Sequence, residues 1–290
     1  MRPPRAALLL IPCLWMTACS TPKRPADLPA RDAIVDAHNA RVGPLDRLWS
    51  RASVRVEGRD AEGSKFSEQG EGHLQVERPD RVAVTVGKLG EVYFALGANE
   101  DRYWLIDVSD SDRRVMLSGD QSLATPAKAA ALGLPVHPRD IPLLLGLMPL
   151  DASGVSGPDW DVAGRAVLRL PTRWGSAALR YDPRSLELVG ATAFDAEGVT
   201  LADATLGLHG AVTDENGMLP VGRLPQRIEI RVPDFDGFVR MQLGEPRVRP
   251  INATVFNPER LRRAYRVGEV IDLDTSAPDA TEPIAPAGAP

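Results

Sequence analysis

The period of the apolar positions changes early in this chain. Ile34, Val35, His38, Val42 and Leu45 fall near one face at helical spacing, which predicts a helix over 31–48 that Gly43-Pro44 should interrupt. The period then becomes two. Ala52, Val54 and Val56 alternate with polar residues, as do Leu74 and Val76, while Val82, Val84 and Val86 alternate with Ala83 and Thr85. Runs at 91–97, 102–108 and 114–118 follow, separated by turn residues such as Pro79-Asp80, Lys88-Leu89-Gly90 and Asp110-Ser111-Asp112. Short strands at this spacing predict an antiparallel meander. The pattern resumes at 165–170, 177–181, 186–195, 199–206, 227–232 and 237–243. The alternation of Ile228, Ile230 and Val232 with Arg227, Glu229 and Arg231 is its clearest stretch, with one face in water and one on apolar material.

Between the two strand sets, 123–150 breaks the pattern. A short helix is predicted near Ala127–Leu132. A second falls in the proline-bracketed run Pro138–Pro149, which holds Ile141, Leu143, Leu144, Leu145, Leu147 and Met148. A late helical turn is predicted at Pro258–Ala264. The expected fold is mainly β with a few helices (α+β): one large curved antiparallel sheet with an N-terminal helix and a helical insertion. A sheet of about a dozen twisted strands must curl or close.

The ends read differently. Arg2 and Arg5 precede an apolar stretch from Ala6 to Met16, ended by Met16-Thr17-Ala18-Cys19. A basic start, about ten apolar residues and a small residue before the cut describe an export signal, too short for a bilayer span of about 20 residues. Residues 1–18 are expected to be a lipoprotein signal peptide, 19–30 a proline-containing tether, 31–274 the folded domain and 275–290 a disordered Ala/Pro-rich tail. The competing reading of the leader is ordinary signal-peptidase cleavage after Ala18. The two cysteines are Cys13, inside the leader, and Cys19, so no disulfide is expected and stability must come from a core.

Charge narrows the function classes. There are 34 basic and 39 acidic residues, a net charge of −5, with the two signs interspersed. No basic patch points to nucleic acid. No nucleophile elbow, zinc-protease helix or phosphate loop occurs, and His38, His73, His137 and His209 are isolated in sequence. The chain is read as a non-enzyme without cofactor or metal. Gly70-Glu71-Gly72 opens no helix and reads as a bulge or a close backbone approach. Asp107–Asp112 reads as a solvated turn rather than a calcium loop. Large apolar residues stand at consecutive positions in Val92-Tyr93-Phe94-Ala95-Leu96 and Tyr103-Trp104-Leu105-Ile106. Both faces of the sheet centre are therefore covered, or one lines a pocket; a plainly filled core is the alternative.

The run Glu68-Gln69-Gly70-Glu71-Gly72-His73-Leu74-Gln75-Val76-Glu77-Arg78-Pro79-Asp80 resembles the periplasmic lipoprotein carriers of the LolA/LolB type, with a glycine pair, a Leu-x-Val strand and a basic residue before Pro. Tyr103-Trp104-Leu105, the preceding helix and the apolar insertion also fit, over roughly 31–195 in order of elements. Met16-Thr17-Ala18-Cys19 resembles the lipobox of bacterial lipoproteins, which implies acylation of Cys19 and a membrane-lipid partner. Ser20, in place of an Asp, leans towards an outer-membrane anchor facing the periplasm. The carrier resemblance implies an open half-barrel whose apolar concave face holds acyl chains under a helical lid, with lipoprotein or lipid cargo and no covalent chemistry. Trp49, Phe94, Trp104, Leu144, Leu147 and Phe194 are the candidate ligand-binding residues, and Arg78, which occupies the position before the Pro, is the candidate lid latch. Two departures stand out: the soluble carriers are not themselves lipidated, and the second half of this chain is longer. A structural or sensory envelope lipoprotein with a filled core is the competing function.

Overall fold

The computed structural model describes residues 27–59, 63–133, 136–233 and 236–275. The expected signal peptide, Cys19, most of the tether and all but the first residue of the expected tail lie outside them.

Helix α1 (Arg31–Val42) buries Ile34, Val35, His38 and Val42, the face read from the spacing. It stops where Gly43-Pro44 interrupts the run. Asp32 in its first turn and Arg41 in its last suit the helix dipole. The first meander follows: β1 (Arg47–Arg59), β2 (Lys65–Glu77), β3 (Arg81–Lys88), β4 (Glu91–Ala98), β5 (Arg102–Asp107) and β6 (Val115–Asp120). The insertion then carries α2 (Pro126–Ala130), a 3-10 turn at Pro138–Asp140 and α3 (Ile141–Leu144). The second meander comprises β7 (Ser156–Trp160), β8 (Ala166–Pro171), β9 (Gly175–Tyr181), β10 (Leu188–Asp195), β11 (Thr200–Thr213), β12 (Pro220–Arg231) and β13 (Phe238–Val248). Helix α4 (Pro258–Ala264) and β14 (Glu269–Asp272) end the described chain.

All fourteen strands form one sheet, ordered β14-β6-β5-β4-β3-β2-β1-β13-β12-β11-β10-β9-β8-β7. The last strand of the second meander pairs antiparallel with the first strand of the first, so β13 beside β1 fuses the two halves. The sheet is not closed into a barrel. Two details differ from the sequence reading. First, the sheet is mixed rather than purely antiparallel, because β14 runs parallel to β6 with Val270 opposite Met116. Four residues with adjacent Val270 and Ile271 offer no alternation to read. Second, β7 contains Gly157 and Pro158 and is an edge strand, where proline is tolerated because no ladder bond is lost.

The glycine pair in β2 has a steric reason. A Cβ on Gly72 would stand 1.8 Å from the Thr85 carbonyl oxygen, and one on Gly70 would stand 2.5 Å from a Val86 methyl. Register runs unbroken through both residues, so the feature is a close backbone approach and not a bulge.

One face of the sheet carries the main core. Leu48, Ala52, Val54, Leu74, Val76 and Val82 on the first half meet Leu168, Leu179, Ala191, Leu206 and Ile228 on the second, with α1 and the insertion on top. The other face carries a smaller core in which Ala95, Trp104, Ile106 and Met116 pack under Leu261 and Val267, from α4 and the segment after it. The consecutive large residues in β4 and β5 are thus explained: both faces are covered there.

Candidate functional site

The concave face is not filled. A cavity of about 290 Å³ remains between the sheet and the insertion. From the first half, β1 contributes Val54, β3 Val82 and Val84, β4 Leu96 and Ala98, and β5 Leu105. From the second half, β10 contributes Ala191 and Ala193, β11 Ala202 and Ala204, β12 Ile228 and Ile230, and β13 Val239 and Met241. The insertion roofs it with Leu132, Val136, Pro138, Ile141, Leu144 and Leu145. Strands up to eight places apart in the sheet order line one space, so the sheet curls around it. The i, i+2 alternation supplies each strand's residues to one side. No side chain in the lining carries a nitrogen or oxygen. The space can accept hydrocarbon and offers no side-chain acid, base or nucleophile. Among the described residues no group of three or more His, Cys, Asp and Glu gathers, and no helix is long and apolar enough to cross a membrane.

Local chemistry shapes the roof. Gly146 follows α3 at φ +70, and its N–H donates to Leu143 O (2.9 Å) while Leu147 N donates to Pro142 O (2.8 Å). This paired left-handed cap ends the helix after one turn and returns the chain towards α1. Leu144 and Leu145 then point to the cavity side, while Leu147 and Leu150 enter the core.

Polar groups hold the roof at its two ends. At the start, Arg139 donates to the Glu100 carbonyl and stands 3.5 Å from Asp80. Asp140, buried, accepts from the Arg173 guanidinium at 2.8 Å and from its backbone N–H at 3.2 Å. Arg173 also stands 3.9 Å from Asp80. The β2–β3, β4–β5 and β8–β9 turns thus meet on two insertion residues. At the other end, Asn39 of α1 donates to Leu150 O at 2.9 Å and accepts from Leu150 N at 2.7 Å. His38 Nε2 donates to Met148 O at 2.9 Å, which makes Nδ1 the acceptor for the Tyr181 hydroxyl at 3.2 Å. Burial holds the His38 imidazole below its ordinary value, against the Met148 carbonyl bond and with help from the Arg41 charge. Burial likewise raises the Tyr181 hydroxyl. The neutral pair is the species that fits.

The residues singled out from sequence separate. Leu144 lines the cavity. Leu147 is buried in the adjoining core, without lining it. Phe94 shares the face of Leu96 and Ala98 by alternation, half-buried and outside the lining. Phe194 lies past the β10–β11 bulge, also half-buried and off the wall. Trp49 is on the opposite face, with its ring 5.2 Å from that of His73 and under the Arg249 guanidinium. Trp104 is fully buried in the second core, again on the opposite face. The hydrogen bonds of the Arg78 guanidinium run to the α1–β1 turn and not to the insertion. It donates to Gly43 O (2.7 Å) and Asp46 (2.5 Å), fastening that turn. The polar contacts of the insertion come from Arg139 and Asp140 instead. The wall itself, above all the alanines of β10 and β11, went unread because aromatic size drew the selection. The period-two spacing of Ala191 with Ala193 and Ala202 with Ala204 was the available signal.

Comparison with known proteins supports the fold. No protein-family model and no curated protein matches the chain. Solved structures do. A LolA superfamily protein from Nitrosomonas europaea superposes with a TM-score of 0.50 at 13% identity, over 80% of this chain and 99% of that one. A DUF1329 family protein from Desulfovibrio piger gives 0.52 at 11%, over 79% and 98%. An outer membrane lipoprotein-sorting protein domain from Vibrio parahaemolyticus gives 0.52 at 12%, over 80% and 97%. The chain shares its fold with these three proteins. At these identities the likeness concerns the fold alone.

Proposed function

We propose that this protein is a non-enzymatic envelope lipoprotein that binds acyl chains or another hydrophobic ligand in the concave face of its half-barrel, in lipoprotein or lipid trafficking or reception. The observation that carries the reading is a cavity lined only by apolar side chains, under a roof whose packing is joined at its ends by polar contacts. Ligand sites are concave and mostly apolar, and an enclosed apolar space that excludes water favours hydrocarbon. A roof fastened by a few ion pairs and hydrogen bonds can open at lower cost than a core element. The structural neighbours named for the LolA superfamily and for lipoprotein sorting support the same reading and an envelope setting. The leader and Cys19 extend it: acylated Cys19 would tether the domain to membrane lipid, with the outer membrane facing the periplasm as the expected site, and two or three acyl chains give stable attachment where one does not.

Delipidated protein should take up a fluorescent fatty acid saturably and release it to unlabelled competitor. Absence of saturable uptake would favour the structural or sensory alternative. Anchoring is tested separately: metabolic labelling with an acyl tracer should mark the wild type and miss Cys19→Ser, and equal labelling of both rejects Cys19 as the acceptor.

A further inference from the structure

We propose that the cavity takes the single chain of a one-tailed amphiphile, and that a four-alanine wall sets how much of that chain it encloses. The inference rests on the ligand-binding reading above and narrows it. Ala191 lies directly opposite Ala204, and Ala193 directly opposite Ala202, across the β10–β11 pair. The four methyls form a square patch on the cavity side, each residue less than a tenth exposed. Apart from Gly97, Ala98, Gly133 and Pro138, the rest of the lining is Val, Leu, Ile and Met, so this patch is the broadest shallow stretch of the wall.

Size and polarity then select the ligand. The cavity is about 290 Å³; on the scale where an apolar cavity of about 150 Å³ takes the six carbons of benzene, it holds about a dozen. That is one medium chain or the greater part of a long one. Two or three full-length chains do not fit. No polar atom of any side chain faces the space, so an enclosed head group would lose its hydrogen bonds with water and find few in return. The head stays outside, and the methylene count inside governs affinity.

The test uses delipidated full-length protein and saturated fatty acids of increasing length, each displacing a bound fluorescent probe below its micelle concentration. Affinity should rise about fourfold for each added methylene, the equivalent of one buried CH₂, and stop rising near a dozen carbons. Ala191→Leu and Ala204→Leu, each adding three carbons to the wall, should move that break to shorter chains. Leu144→Ala, which removes three from the roof, should move it to longer ones. A variant that misfolds loses binding at every length and cannot reproduce shifts in opposite directions. Affinity that climbs without a break, or a break that stays in place in all three variants, overturns the proposal. A triacylated lipopeptide is the decisive second ligand. If it binds and fatty acids do not, the single-chain inference fails and acyl binding stands. If neither binds, the ligand-binding reading fails as well.

Discussion

The two faces of this sheet carry two apolar patches, each covered by a helical segment, and they are finished differently. On the convex side, Trp104, Ile106 and Met116 are buried to within 2% of complete exclusion under Leu261 and Val267. On the concave side, the insertion covers alanines and valines and leaves about 290 Å³ empty. Large side chains interdigitate to interior density; small ones facing a bridged roof cannot. The fastenings differ too. The convex cover has hydrogen bonds such as Asn99 to Phe256 O and Arg114 to Tyr265 O around a packed centre. The concave roof combines packing of Leu144, Leu145, Leu147 and Leu150 with polar contacts of Arg139, Asp140, His38 and Asn39 at its ends. Covering an apolar face therefore says little by itself. What separates a structural cover from a ligand roof is whether the side chains beneath it fill the space.

That contrast can be broken most forcefully at Trp104. Trp104→Ala should cost about 3–5 kcal/mol of stability, the usual loss for a large buried aromatic. Chain-length selectivity of whatever folded protein remains should not change. Urea unfolding together with probe binding checks both. A shift in selectivity would mean that the two faces are coupled through the sheet.

Next comes Asp140→Ala, which strips the buried end of the pair with Arg173 and should destabilise the roof by about 1–2 kcal/mol. Because Arg173 is two-fifths exposed, the figure is discounted for solvent screening of that partner. Hydrogen exchange in 141–147 should accelerate, with the amides of β1 and β2 unaffected. Equal acceleration in the sheet would make the roof part of the global core.

The α1 end gives a smaller, pH-dependent effect. Burial keeps the folded His38 imidazole low, and burial does the same to His137 and His209. The unfolded chain therefore takes up protons first. Stability should be full above the ordinary imidazole value of about 6.5 and decline as the pH falls below it. Tyr181→Phe removes the donor to Nδ1 and with it part of the preference for neutral His38. It should cost about 1 kcal/mol at neutral pH and flatten the acid-side decline. Thermal midpoints across that range test the sign; a midpoint that rises on acidification contradicts it.

The smallest expected effect is at Arg78. Arg78→Leu should loosen the α1–β1 turn, where it bonds Gly43 and Asp46, and leave exchange in 141–147 unchanged. Faster exchange there would restore Arg78 as a latch acting at a distance.

Much of the architecture was legible because one face of nearly every strand is buried. Ile228 and Ile230, or Leu74 and Val76, can alternate with polar neighbours only if one side meets a core. The interruption at 123–150 and the stop at Gly43-Pro44 are equally local. Elements without such a signature were missed: β7 carries Gly157 and Pro158, and β14 is held by its place beside β6 rather than by its own pattern. The candidate site was legible only as a segment. Leu144 belongs to it, but Trp104 and Trp49 fell on the wrong face, because large residues at consecutive positions do not say which parity faces inward.

By itself, then, the chain determined its strands, its first helix and the apolar insertion, because period and turn chemistry act within a few residues. Its first residues carry the local pattern on which the proposed leader and acylation of Cys19 rest. Only the tertiary structure decided which side of the sheet is hollow, that Ala191 meets Ala204 and Ala193 meets Ala202, and that Arg139 and Asp140 rather than Arg78 fasten the roof. Those facts depend on pairings between residues far apart in sequence and on the curl of a fourteen-stranded sheet. An alanine looks the same in a sequence whether its neighbour fills the space above it or leaves it open.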